Sequence, residues 1–107
     1  MKKLANISES EYKEFNDFNI MILEDFIANS TEFSSATKKA YESNLKIWFK
    51  WVKDNLGNKS QLEIKPLDYK RFQNWLLNRG CGSADVNNKR AAISSLNSYI
   101  EIYYHDD

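Results

Sequence analysis

The sequence holds one cysteine, Cys81, and one histidine, His105, among 107 residues. A single cysteine excludes an internal disulfide and a thiolate metal cluster, and it fits a reducing cytoplasm best. With one Cys and one His there is no basis for a zinc site, a Cys–His nucleophile pair or a Ser–His–Asp triad. No catalysis, cofactor or metal is therefore expected of this chain. Long apolar runs are missing too: nothing approaches the roughly 18 residues that a membrane span needs. Lys2 and Lys3 lead straight into acidic and polar residues rather than into a signal sequence. A soluble, cytoplasmic chain is expected, with no membrane partner and no small-molecule ligand. Sustained period-two alternation, internal repeats and low-complexity tracts are also absent, so nothing in the sequence asks for a sheet.

What is present is helical periodicity, clearest in the run Ser34 to Gly57. Tyr41, Leu45, Trp48, Phe49, Val52 and Leu56 recur at spacings of three and four, which stacks them along one face that must be buried. Lys39, Ser43, Lys46, Lys50 and Lys53 fall on the opposite side with no acid among them, and a face that basic invites a polyanion. Ser34 or Ser35 can cap the start, and Gly57 can take the left-handed position that ends the helix. Trp51 lies off the stripe, where it can pack on the first helix or on another protein.

An earlier helix is expected to begin at a capping box, Ser8-Glu9-Ser10-Glu11, and to run unbroken toward Asn29 with Phe15, Phe18, Ile22 and Phe26 inward. Asn58 to Lys65 reads as a loop. Pro66 then suits the first position of a third helix, with Leu67, Phe72, Trp75 and Leu76 apolar and Lys70, Arg71 and Arg79 basic. Gly80-Cys81-Gly82 stops it. Ser83 is expected to cap a fourth helix buried through Val86, Ile93, Leu96, Ile100 and Tyr103. The expected fold is all-α, a compact four-helix bundle without a sheet.

Net charge is absent only in sum, since fifteen basic residues balance fifteen acidic ones. Residues 1–32 hold three Lys against seven acids, residues 33–90 hold twelve Lys or Arg against five, and residues 91–107 hold no Lys or Arg against three acids. A basic middle between acidic ends makes an electrostatic surface.

The ordered pattern has a family likeness. Ser35, Thr37, Tyr41, Leu45, Phe49 and Val52, then Leu67, Asp68, Phe72 and Leu76, then Ser83, Val86, Asn87, Lys89, Ala92, Ile93 and Leu96 together resemble the core-binding domain of phage integrases and other tyrosine recombinases. The resemblance implies a SAM-like helical domain over residues 20–107, with residues 1–19 as a helical extension or linker. It departs at Asp85 and Arg90, where the family often has Thr and an aliphatic residue. It also implies double-stranded DNA as partner, with other recombinase subunits possible on the same DNA. Carried onto this sequence, the DNA contacts fall on Lys38, Lys39 and Lys46 of the second helix and Asn87, Asn88, Lys89 and Arg90 at the start of the fourth. Lys50 continues the same lysine stripe. The family's catalytic arginines, His-x-x-Arg element and tyrosine nucleophile have no counterpart, because His105 is followed only by Asp106 and Asp107. The resemblance therefore implies a DNA-binding half whose catalytic domain is not in this chain. A rival reading from the residues alone is a helical protein-interaction module, docking an acidic partner through the basic face with Trp51 or Tyr104 as anchor.

Overall fold

The computed structural model describes residues 7–104; Lys2, Lys3 and His105 lie outside them. Among the described residues there are four long helices, one short helix and one 3-10 turn, and no strand. They are α1 (Glu9–Tyr12), α2 (Asp17–Asn29), α3 (Ser35–Asn55), the 3-10 turn Gln61–Glu63, α4 (Pro66–Asn78) and α5 (Ser83–Tyr103). The all-α architecture expected from periodicity is the one found.

α3 is the central element, packing mainly on α5 and then on α2. Its stripe is buried as expected at Leu45, Trp48, Phe49 and Val52, while Tyr41 and Leu56 are partly covered. Ser34 caps the first amides by accepting from Thr37 N–H, and Gly57 closes the helix at φ 65. Two aromatic groups fill the core along its length. Toward the start of α3, Phe26 stacks on Tyr41 at 6.2 Å and meets Tyr99 edge-on at 5.5 Å. Farther along, Trp48 stacks on Tyr69 at 5.2 Å and meets Phe72 edge-on at 5.0 Å. Trp51 belongs to this second group. It is 6% exposed, stacked on Trp48 and set against Phe72 of α4. It is therefore part of the core between α3 and α4.

The first helix is broken where continuity was expected. Asn16 accepts from the amides of Phe18 and Asn19 and so starts a new helix at Asp17. Asn58, itself at φ 57, takes up the backbone groups that the break leaves free. Its side-chain oxygen accepts from Asn16 N–H at 2.9 Å, its side-chain amide donates to Glu14 C=O at 2.9 Å, and its own C=O accepts from Asn16 Nδ2 at 3.1 Å. Phe15 and Asn19, both within the expected extension or linker, are buried in the common core.

The expected loop after α3 is likewise ordered. Ser60 and Glu63 form a capping box around the 3-10 turn, and Asp68 caps α4 by accepting from Lys65 N–H at 2.9 Å. Gln61 enters the core through this turn. Trp48 Nε1 donates to Gln61 Oε1 at 2.8 Å, and Gln61 Nε2 donates to Tyr69 Oη at 3.0 Å and Asn97 Oδ1 at 2.9 Å. Gln61 N–H donates to Asn19 Oδ1 at 2.7 Å. One residue thus joins α2, α3, α4 and α5. Two apolar assignments fail for position rather than periodicity. Leu67 sits in the first turn of α4 at 56% exposed and Tyr103 in the last turn of α5 at 69%, each where its helix overruns the body it packs against.

Replacing Gln61 with Leu strands the Trp48 indole N–H in the core and removes the partner of the part-buried Asn97 side-chain carbonyl. An unpaired buried polar group costs about 1 to 3 kcal/mol, so Gln61→Leu is expected to destabilise the chain by roughly 2 to 4 kcal/mol. Urea unfolding should show a lower midpoint with an unchanged slope. An unchanged midpoint would mean that the loop is held by something other than this side chain.

Candidate nucleic-acid interface

The lysine stripe of α3 is basic only until the chain folds over it. Glu11 of α1 reaches Lys50 at 2.6 Å and Lys53 at 3.2 Å, and Glu14 reaches Lys53 at 3.5 Å. Asp54 adds contacts at 3.0 Å to Lys50 and 3.6 Å to Lys53. Lys46 lies over the Tyr12 ring at 4.9 Å, and the Tyr12 hydroxyl donates to Glu24 at 2.9 Å. The acidic first block of the sequence is therefore placed on the basic second block. The capping box expected at Ser8 is half formed for the same reason: Ser8 accepts from Glu11 N–H, but the Glu11 carboxylate turns to the lysines. Hydrogen bonding from Lys50 holds the Glu11 carboxyl below its ordinary range, and Glu11 in turn raises the Lys50 ammonium.

Lys38 and Lys39, about two turns before Lys46, have no side-chain ion pair or hydrogen bond among the described residues, and Lys39 is exposed. Asn87, Asn88 and Arg90 are exposed in the first two turns of α5 and are equally unpaired among the described residues. Gly80, at φ 86, makes the reversal that leads into them. The cap position of α5 is Gly82 rather than Ser83, and no side chain caps it. Asp85 stands in the first turn as expected, where it pairs with Lys89.

Lys89 is the exception in the set. Its side chain is 4% exposed, and its ammonium donates to Asp85 at 2.7 Å and to Asn44 of α3 at 3.3 Å. Position explains this: Lys89 is on the same face of α5 as Val86, Ile93 and Leu96. Its charge is satisfied inside the fold and is not presented to a phosphate. The contact with Asn44 also separates the two halves of the set. At about 100° per residue, Lys46 lies roughly 160° round α3 from Asn44, so the stripe and the α5 start flank α3 on different sides. Arg79, on the basic side of α4, stacks on Trp75 at 4.8 Å. Among the described residues no three His, Cys, Asp or Glu side chains are placed to hold a metal ion. No helix there is long and apolar enough to cross a membrane.

The Glu11 contacts set a pH dependence. A carboxyl held below its ordinary range stabilises the docked α1 at neutral pH and down to the usual Glu titration near 4.3. That stability is lost as pH falls through the lowered value. The protection of the residue 9–12 amides, as exchange relative to the intrinsic rate at each pH, should therefore be unchanged from pH 7 to about 5 and fall only in more acid solution. Glu11→Gln should show the loosened state at every pH, with faster acylation of Lys50 and Lys53 read by mass spectrometry. Equal acylation rates in both proteins would show that these pairs hold nothing.

Over 105 residues the chain is 33% identical to the SPbeta prophage-derived recombinase-like protein YomM of Bacillus subtilis (strain 168). No family model matches the chain, and no solved structure matches it. The match with YomM takes in 98% of this chain and 31% of that protein, so the chain spans about a third of the curated relative's length. The chain is a distant homologue of one segment of a phage recombinase-like protein.

Proposed function

We propose that the chain is a noncatalytic DNA-binding segment of a phage-type tyrosine recombinase, a SAM-like core-binding domain that grips duplex DNA at a recombination site. The observation that carries this reading is the match to a recombinase-like protein along nearly the whole chain. Unpaired polar side chains at the surface support it. Lys38, Lys39 and Arg90 are unpaired cations among the described residues, suited to displacing counterions from phosphates. Asn87 and Asn88 stand on adjacent positions of the first α5 turns, where an amide can bond both major-groove edges of adenine. Lys46 keeps its charge over Tyr12 and contributes weakly; Lys50 is already neutralised, and Lys89 supports the helix from inside. Other recombinase subunits are partners on the same DNA, and the bond-breaking residues belong to sequence outside this chain.

Electrostatic contact of this extent places binding to random duplex near about 10⁻⁴ to 10⁻⁶ M, falling steeply with salt. Lys39→Ala should weaken cognate and random DNA alike and lower the salt slope by about one unit. Asn88→Ala should cost about 1 to 3 kcal/mol on a site selected from random duplexes and nothing on random sequence. Lys89→Ala should reduce thermal stability rather than affinity per folded molecule. Absence of DNA binding at low ionic strength would overturn the reading and leave an interaction module, now without Trp51 as its anchor.

A further inference from the structure

Between α4 and α5 lies a cleft of about 450 Å³, of which the DNA reading uses only Arg90 at the rim. Its floor is apolar, made by Phe72, Leu76, Val86 and Ile93. Lys70 rises on the α4 side and Arg90 on the α5 side, with Gln73 and Ser94 between, and Glu101 is the one acid that lines it. Lys70 and Arg90 come from different helices and line the same cleft. We propose that this cleft is a binding site for a small aromatic anion, a flat apolar body bearing one phosphate or carboxylate.

The inner wall has a fixed hydrogen-bond polarity. An indole N–H can only donate, so Trp48 obliges Gln61 to present Oε1 to it and Nε2 to its other neighbours. Both Gln61 N–H bonds are then spent, on Tyr69 Oη and Asn97 Oδ1. Asn97 in turn presents Nδ2 to Tyr69 Oη at 3.0 Å. The Tyr69 hydroxyl thus accepts twice, and its own hydrogen has no acceptor among the described residues. One N–H of Asn97 is equally unspent. Tyr69 and Asn97 both line the cleft. The inner wall therefore offers donors, the rim offers two cations, and the floor offers rings and aliphatic groups. A ligand complementary to all three has acceptors, negative charge and a planar apolar body. The volume falls within the range of small-molecule sites.

The cleft shares Arg90 with the proposed DNA-contacting set, whereas Lys70 is outside it, so Lys70→Gln tests the cleft apart from DNA binding. The test is a titration of the isotope-labelled chain with 1-naphthyl phosphate, followed by amide chemical shifts, with inorganic phosphate and 1-naphthol as controls. Saturable shifts are expected at Lys70, Gln73, Arg90, Ser94 and Asn97 with a Kd on the order of 1 mM or tighter, and at least about tenfold weaker binding of each control. Lys70→Gln should weaken the naphthyl phosphate at least about threefold, and Glu101→Gln should tighten it. Both positions are exposed, and the amide spectrum itself reports whether each variant is folded. Arg90→Gln gives a second, independent reading of the rim charge. Shifts elsewhere, failure to saturate, or affinities unmoved in both rim variants would overturn the proposal.

Discussion

The bond from the Trp48 indole to Gln61 is the interaction on which the rest of the fold depends. A tryptophan this deeply buried must give its N–H a partner, and the only route to one is to draw the α3–α4 connection inward. Once Gln61 is inside, its backbone N–H and both side-chain N–H groups need acceptors. Asn19, Tyr69 and Asn97 supply them from three different helices. The network removes the freedom of the connection and fixes how α2, α4 and α5 sit around α3. Its members lie in a low-dielectric setting where a missing partner costs more than a present one contributes.

The charge distribution is resolved by a second set of long-range contacts. Segregated blocks would repel within themselves if the chain were extended, yet the fold lays Glu11 and Glu14 against Lys50 and Lys53. These pairs are partly exposed, so each adds little stability. Their larger consequence is to remove the C-terminal half of the lysine stripe from the surface open to a polyanion. The positive surface left over is narrower than the composition promised and lies at Lys38, Lys39, Arg90 and the exposed side of α4.

The start of α5 combines a fixed and a free side within two turns. Asp85, Lys89 and Asn44 tie its inner side to α3, while Asn87, Asn88 and Arg90 face outward. An outward polar cluster on a helix that is pinned from behind loses less conformational entropy on contact than the same residues on a loop. The same pinning orients Arg90 toward the cleft shared with α4, where the far wall is set by the Trp48–Gln61 network. The central polar network and the surface chemistry are therefore linked through α5.

Much of the helical framework was legible because it depends on residues within about four positions of each other. The cap at Ser34, the stop at Gly57, the proline start at Pro66 and the reversal at Gly80 are local events. So is the buried stripe Leu45, Trp48, Phe49 and Val52, which periodicity alone defines. The rest came from partners far away in the chain. The break before Asp17 needs Asn58, 42 residues from Asn16; the ion pairing of Lys50 needs Glu11, 39 residues away; the burial of Lys89 needs Asn44, 45 residues away. By itself the sequence determined the long helices and most of the inward face of each, since backbone geometry and hydrophobic spacing decide both. Tertiary structure alone decided which charges and amides remain on the surface, because a polar side chain is spent or free according to what packs beside it.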